Sequence, residues 1–463
     1  MYRIFGHFIP KTILVLLLAE ASILLVSVYL AATIDIAEHY ESLTGTEFRG
    51  VLLEAAVFCA AILSGMIATG LYQRDQRDSP LEMILRIAVS FGIGLALMSV
   101  LWFFEANGLF RANTLALALF CSFVGIASCR ILYFDQTHER LARRVMVLGA
   151  GDRAARIARL RRAADRHGID VIGYVDIGTF KRAVPAERIV ESDEPLSDLV
   201  ERERIDEIVI ALDDRRNAIP VEEMLDCKMQ GVRIIDVDDF CERQLGKVSV
   251  ESLQPSQLFF SEGLTKAIVR PWGKRSLDIA ASLALLTLVS PVMLVTAIGV
   301  KLESAGPVFY RQRRVGRGGK VFTLCKFRSM RSDAESDGVA RWASTDDDRI
   351  TRVGHFIRRT RIDELPQLFN VLRGDMSFVG PRPERPEFVA DLCEKIDYYE
   401  LRHYVKPGIT GWAQVRYPYG ASVDDSREKL KFDLYYIKNY SLFLDLNIIL
   451  HTVQVVLWRK GAR

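Results

Sequence analysis

No two of the seven cysteines form a CxxC pair, and no histidine follows them at a zinc-site spacing. That leaves no framework of disulfides or structural zinc to organise the chain, and the thiols read as reduced. Charge of one sign is also scarce. The net charge is only +3 over 463 residues, so no global basic field points to nucleic acid, and the charges gather instead in local clusters.

Apolar residues are abundant: they make up 50% of the chain, which is high for a soluble protein. Four apolar stretches are long enough to cross ~30 Å of hydrocarbon: Thr12 to Ala32, Gly50 to Tyr72, Ile84 to Phe104 and Ala112 to Phe134. The first contains Glu20 and lacks the small-residue cleavage pattern of a signal peptide. Arg3 and Lys11 precede it, Arg74, Arg77 and Arg86 surround the second turn-around, and Arg140, Arg143 and Arg144 follow the fourth stretch. Short cytoplasmic loops collect positive charge, so those sites belong inside and everything after Phe134 starts in the cytoplasm. Glu20 and Glu54 lie within spans and read either as a pathway or as groups paired inside the bundle.

From Arg144 the pattern changes to short β-branched runs between polar helices, such as "VIGYVD" and "IDEIVIAL", which predicts a parallel sheet with crossover helices. The turn at Gly149 and Gly151 resembles a glycine-rich strand-to-helix turn that admits a diphosphate, and Asp176 stands where a ribose-binding acid would. A nucleotide site and a turn kept for packing both fit.

A polar linker around Ser249 to Lys266 precedes a fifth apolar run, Ile279 to Val300. Ser290 and Pro291 fall at its midpoint, where proline removes a backbone donor. Both flanks are basic, with Arg270, Lys274 and Arg275 before and Lys301, Arg311, Arg313, Arg314 and Arg317 after. Basic residues at both ends predict a helix that breaks, dips into the membrane and returns.

The stretch "RIDELPQL" (361 to 368) sets an arginine, two carboxylates and a proline before an apolar helical segment. Proline is tolerated in a first helical turn, which predicts a helix starting near Asp363 with the acid pair at its electropositive end. Adjacent helical acids point roughly 100° apart, so Asp363 and Glu364 are expected to do different jobs. Between Arg349 and Arg385 there are eight arginines against four acids, a surplus that suits diphosphate oxygens. A capping acid beside a basic face on anionic lipid is the plainer reading.

The segments "KFRSM" (326 to 330), "RRTRIDELPQLFNVLRGDMSFVGPRPE" (358 to 384) and "KPGITGWAQV" (406 to 415) resemble the bacterial polyprenyl-phosphate glycosyl-1-phosphate transferases. The layout is similar to their long form. The resemblance implies a membrane α-helical plus α/β architecture: a four-helix transmembrane domain at 1–138, a Rossmann-like, CoA-binding-type parallel-sheet domain at 139–262, and an α-rich catalytic module at 263–463 with a re-entrant helix at 275–301. It implies transfer of a sugar-1-phosphate from a UDP-sugar to undecaprenyl phosphate, releasing UMP, at the cytoplasmic face of the bacterial inner membrane. Asp363 would be the nucleophile of a covalent phosphosugar enzyme, Glu364 its partner at Mg²⁺, and Arg358 their support. Pro381, Arg382 and Pro383 match a uridine-phosphate contact loop. Lys326, Arg328, Arg361, Arg373 and Lys406 are further expected substrate contacts, and Ser290 and Pro291 match the family's membrane-break pair. Nucleic acid is not an expected partner; membrane lipids and a second copy of the chain are. The glycine turn departs from the nucleotide-binding pattern by ending in Ala154.

Two other classes compete. A membrane-anchored nucleotide-sugar dehydratase or epimerase needs a Tyr-x-x-x-Lys pair, and no tyrosine here has lysine four positions on. A non-enzymatic scaffold for polysaccharide assembly would leave the acid pair without work. The carboxy-terminal stretch "REKLKFDLYYIKNYSLFLDLNIILHTVQVVLWRKG" reads as amphipathic helices lying on the membrane surface or packing against the module.

Overall fold

A computed structural model describes the chain apart from residues 1, 5–6, 10, 40–44, 73–79, 105–111, 137–141, 161–162, 167, 178–181, 191–193, 215–219, 252–270, 332–348, 418–419, 421 and 459–463. Most of the polar linker lies outside the described residues, as do Arg74, Arg77, Arg140 and Arg270. The chain separates into two compact units, one holding Phe8–Leu245 and the other Gly246–Arg463.

The first unit opens with four helices, Lys11–His39, Gly45–Ala68, Pro80–Phe104 and Ala112–Gln136. Two of them, over Leu14–Ile34 and Asn113–Leu132, are apolar and long enough to cross a membrane; Leu52–Ala68 and Met83–Ser99 are shorter apolar segments. Many of their leucines, including Leu18 and Leu53, face outward, as they would toward lipid. Glu20 is fully buried and pairs with Arg130 at 2.6 Å, while Tyr72 donates to the same carboxylate and Arg130 donates to the Leu71 carbonyl at 2.8 Å. A charge this deep is tolerable only with such partners.

Five parallel strands follow, in the spatial order Ile189–Val190, Ile169–Val175, Arg143–Leu148, Glu207–Ile210, Arg233–Asp236. Counted along the chain this is order 3-2-1-4-5. Val145, Val147, Ile208 and Val209 are fully buried, because helices cover both faces of a parallel sheet.

The second unit is built around one helix, Pro271–Glu303. At 33 residues it is about 50 Å long. The expected break at Pro291 does not appear as a gap in the helix. The carbonyl that Pro291 leaves without an amide partner belongs to Thr287, and the Ser290 hydroxyl donates to it at 3.0 Å, so the helix continues through the proline. Both ends of the helix are tied to the same module. Near the start, Lys274 pairs with Asp445 at 2.7 Å and donates to the Val379 carbonyl at 2.9 Å, while Asp278 accepts from Ser377 and Phe378, each at 2.9 Å. At the far end Glu303 accepts from the amides of Arg352 and Val353 at 2.7 and 2.9 Å, and Arg328 donates to the Ser304 and Ala305 carbonyls.

An antiparallel pair, Phe309–Val315 with Val321–Phe327, and a short parallel pair, Ser377–Val379 with Gly408–Thr410, frame the remainder. The core contains Val248, Val250, Trp412, Leu430, Leu434 and Tyr435. Val248 and Val250 therefore pack with the carboxy-terminal module, although the expected boundary at 262 assigned them to the sheet domain. Helix Val423–Lys438 is a core element, with Leu430, Phe432, Leu434, Tyr435, Tyr436 and Ile437 buried. Of the two readings of the carboxy-terminal stretch, packing holds for this half, because every residue from Phe432 to Ile437 is buried, so the core encloses the helix on all sides and does not leave one apolar face for a surface. All seven cysteines are free.

Lys274→Ala would strand Asp445, 1% exposed, without its cation. The expected loss is roughly 3–5 kcal/mol, read as a lower chemical-denaturation midpoint of the detergent-solubilised protein.

Candidate functional site

The acid pair sits in a different local structure from the one its sequence suggests. Helix Arg352–Arg359, capped by the Thr351 hydroxyl, ends before Arg361, which turns the chain through a left-handed conformation at φ 60°. A 3-10 turn, Ile362–Glu364, then precedes helix Gln367–Arg373, with Pro366 at its N-cap. The expectation that the helix starts at Asp363 is thus corrected. The amides of Glu364 and Leu365 bond back to Arg361 and Ile362 within the tight turn, so the acids stand one turn ahead of the α-helix. Proline fits where it is because no backbone amide is needed at a helix start.

Asp363 and Glu364 are equally buried, 8% exposed each, yet their surroundings differ. Glu364 meets Arg382 at 3.0 Å, Lys326 at 3.2 Å and Arg361 at 3.5 Å. Burial alone would raise its carboxyl, but those three cations outweigh burial and hold it well below the usual range. Asp363 forms no ion pair within 4 Å among the described residues. Burial, reinforced by the negative Glu364 beside it, pushes its carboxyl up to about 6 against the attraction of Lys326, Arg358 and Arg361. One carboxylate is saturated with cations; the other is a buried anion with room for one.

The loop opposite is rigid. Gly380 donates to the Thr410 carbonyl at 2.8 Å, Pro381 accepts from Gly408 at 2.9 Å, and Pro383 accepts from Arg314 at 3.1 Å. Between the prolines, Arg382 has little backbone freedom. A small pocket beside Glu364 is lined by Arg314, Lys326, Gln367, Arg382 and Pro383.

The expected contacts divide into two groups. Lys326, Arg361 and Arg382 converge on Glu364, and the field of Arg358 reaches Asp363. Arg328 instead closes the end of the long helix. Arg373 lies in the last turn of helix Gln367–Arg373. Lys406 stands by Gly374, Arg275 and Asp278. Arg314, Arg402 and Asp433 were not singled out by sequence. Arg314 was read only as a membrane-flank charge, and nothing local marks an arginine and an aspartate 31 positions apart as partners.

In the first unit the glycine turn is already filled. The Asp213 carboxylate accepts from the amides of Asp152 and Arg153 at 2.9 and 2.8 Å, and a Cβ on Gly151 would lie 1.8 Å from it. A Cβ on Gly149, at φ 120°, would meet the Ala211 carbonyl at 2.6 Å. Close approach of the Ala211–Asp213 segment accounts for both glycines. Asp176 pairs with Arg182 at 2.8 Å.

Residues 269–459 match the model of the bacterial sugar transferase family. A UDP-glucose:undecaprenyl-phosphate glucose-1-phosphate transferase of Caulobacter vibrioides is 45% identical over 191 residues, 41% of this chain and 71% of that protein. The chain belongs to this family. It is similar to proteins named as undecaprenyl-phosphate sugar phosphotransferases. A UDP-N-acetylgalactosamine-undecaprenyl-phosphate N-acetylgalactosaminephosphotransferase of Aeromonas hydrophila is 44% identical over 261 residues, 56% of this chain. An undecaprenyl-phosphate glucose phosphotransferase of Komagataeibacter xylinus is 36% identical over 346 residues, 72% of this chain. The alignments span 61% and 62% of the lengths of those two relatives.

Because the native state holds a proton on Asp363 more tightly than the unfolded chain, whose carboxyl titrates near 3.8, stability contributed by this group falls as pH rises from about 4 to 6. Asp363→Asn removes that penalty. Thermal unfolding in metal-free buffer should show the variant more stable than wild type above pH 6, by at most about 3 kcal/mol, with the difference vanishing below pH 4.

Proposed function

We propose that the protein transfers a sugar-1-phosphate from a UDP-sugar to undecaprenyl phosphate, releasing UMP, as an initiating step of exopolysaccharide or related glycan synthesis. The observation that carries this reading is the asymmetry of the dyad: Asp363 is buried, poised by charge and, among the described residues, without an ion-pair partner, while Glu364 is held by three cations. In the reaction an Asp363 carboxylate oxygen attacks the sugar-linked phosphorus of the donor. The bond to the bridging oxygen breaks, and UMP leaves with that oxygen and its electrons. The lipid phosphate then attacks the same phosphorus, restoring the aspartate and leaving a diphosphate-linked lipid sugar. Lys326, Arg361 and Arg382, with Arg314 behind them, form the positive wall that receives the donor phosphates. Arg358 adds to the field at the nucleophile.

Asp363, with no ion pair within 4 Å among the described residues, leaves room beside Glu364 for a magnesium ion, which takes one or two protein carboxylates and completes its shell from substrate and water. Asp363 and Glu364 would hold Mg²⁺, and the ion would neutralise charge on the donor diphosphate. Among the described residues no third acidic, histidine or cysteine ligand adjoins them, consistent with a site completed by substrate.

A re-entrant course for helix Pro271–Glu303 is supported by its two tethered ends. Lys274 and Glu303 lie near opposite ends of a continuous helix about 50 Å long, yet both bond to one module, so both ends stay on the module's side of the bilayer if the helix enters it obliquely and bends at Pro291. With the four apolar amino-terminal helices, this reading puts the module at the cytoplasmic face of the bacterial inner membrane. The 3-2-1-4-5 parallel sheet fits a Rossmann-like domain whose glycine turn is closed by Asp213.

Purified protein given radiolabelled UDP-sugars, undecaprenyl phosphate and Mg²⁺ should release UMP and label the lipid. Without acceptor, the label should remain on the protein. Asp363→Asn should lower the rate by at least a thousandfold; a variant as active as wild type refutes the nucleophile. A cysteine placed at Arg317, which is exposed, should react with an impermeant maleimide in inside-out vesicles and resist it in intact cells, whereas a single-pass helix predicts the reverse.

A further inference from the structure

We propose that the buried ion pair of Arg402 and Asp433 is a positioning device that aims Arg382 at Glu364. This rests on the dyad reading above and adds residues to it. Arg402 is 6% exposed and Asp433 1%, and their side chains meet at 2.9 Å. The same Arg402 nitrogen that faces Asp433 donates to the backbone carbonyl of Arg382 at 3.0 Å. A second nitrogen donates to the hydroxyl of Tyr399, and the guanidinium lies 5.0 Å over that ring. From the carbonyl so held, the Arg382 side chain reaches out and donates to Glu364 at 3.0 Å.

Two considerations assign this pair to positioning rather than to stability. First, it is buried in the core: Asp433 stands on a core helix with Leu430 and Leu434, and the further charges felt by the pair, Glu384 and Lys429, lie at its edge. Replacing a buried ion pair in such a place by apolar side chains of similar size is often neutral or stabilising, so the pair gains the fold little over a hydrophobic substitute. Second, among the described residues the other polar backbone contacts of the loop fall on its flanks, at Gly380, Pro381 and Pro383. Among the described residues, Arg402 is the group that bonds the carbonyl of the residue whose side chain does the work. Pro383 fixes its own φ and confines Arg382 to extended backbone, so the orientation of the Arg382 carbonyl is set mainly by ψ of Arg382. Fixing its carbonyl removes that rotation and sets the direction in which the guanidinium leaves the loop. Among the described residues Arg402 makes no hydrogen bond or ion pair with Asp363 or Glu364, and the contact that links it to the dyad is the one to Arg382.

The double variant Arg402→Met with Asp433→Leu keeps the volume of the core and removes the pin. Its thermal midpoint should stay within a few degrees of wild type, whereas its structure should show the Arg382 guanidinium more than 4 Å from Glu364. In the UMP-release assay kcat should fall ten- to a hundredfold. In an Arg382→Ala background, the same double change should lower kcat less than twofold further. A purely structural role would make the two losses multiply and would lower the midpoint in both backgrounds. An Arg382 that remains at hydrogen-bond distance from Glu364 overturns the proposal, as does multiplication of the losses. The position of the Arg382 guanidinium can be measured even if no donor tried is a substrate, so failure of the proposed activity and failure of the pin are told apart. Should the double variant not fold, Asp433→Asn carries the same measurements, since an uncharged partner frees Arg402 to leave the carbonyl; unchanged Arg382 geometry and kcat there overturn the proposal too.

Discussion

The second unit depends on one constraint: two short helices that flank the acid pair are each capped by a charge from opposite ends of the same apolar helix. Glu303 accepts from the first amides of Arg352–Arg359. Arg275 donates to the last carbonyls of Gln367–Arg373, at Val371 and Leu372, each at 2.6 Å. Each charge has the sign that the helix end it meets requires, and each satisfies groups that a short helix leaves unbonded. Segments of eight and seven residues are too short to hold themselves in water. Anchored this way, they fix the tight turn that carries Asp363 and Glu364 between them.

That arrangement turns an ordinary preference into chemistry. Burial penalises both carboxylates, but three cations compensate only one of them. Coulombic compensation falls with distance, so three cations within 3.5 Å of Glu364, with none within 4 Å of Asp363 among the described residues, drive the two apart. The unpaired acid is costly to keep, which is the usual condition of a group that must react rather than hold the fold together. The same division runs through the loop opposite, where prolines and backbone bonds fix every residue around Arg382.

In the first unit, the same physics leads elsewhere. A glycine turn before a helix presents amides to whatever anion is nearest, and here that anion is Asp213 of the chain itself. The likeness to a phosphate-binding turn is real at the level of backbone geometry, but the partner is a carboxylate from the neighbouring strand's end. In the helical bundle, Glu20 found Arg130 across 110 positions, satisfying a charge that the sequence could only mark as expensive.

Sequence alone determined what depends on composition and near neighbours: the apolar helices, the alternation that makes a parallel sheet, the acid pair with its surplus of arginine, and the motifs that tie residues 269–459 to their family. These follow from periodicity and local chemistry, which the order of residues preserves. Only the tertiary structure decided that Pro366 caps a helix beginning after the acids, that Ser290 repairs the bond Pro291 removes, that Arg328 closes a helix while Arg314 faces the pocket, and that Val248 and Val250 belong to the second core. It also decided that Arg402 and Asp433 meet. Each of these is a contact between groups distant in the chain or a choice among backbone turns of similar energy. Burial and charge, summed over the whole fold, settle such choices, and no window of neighbouring residues contains that sum.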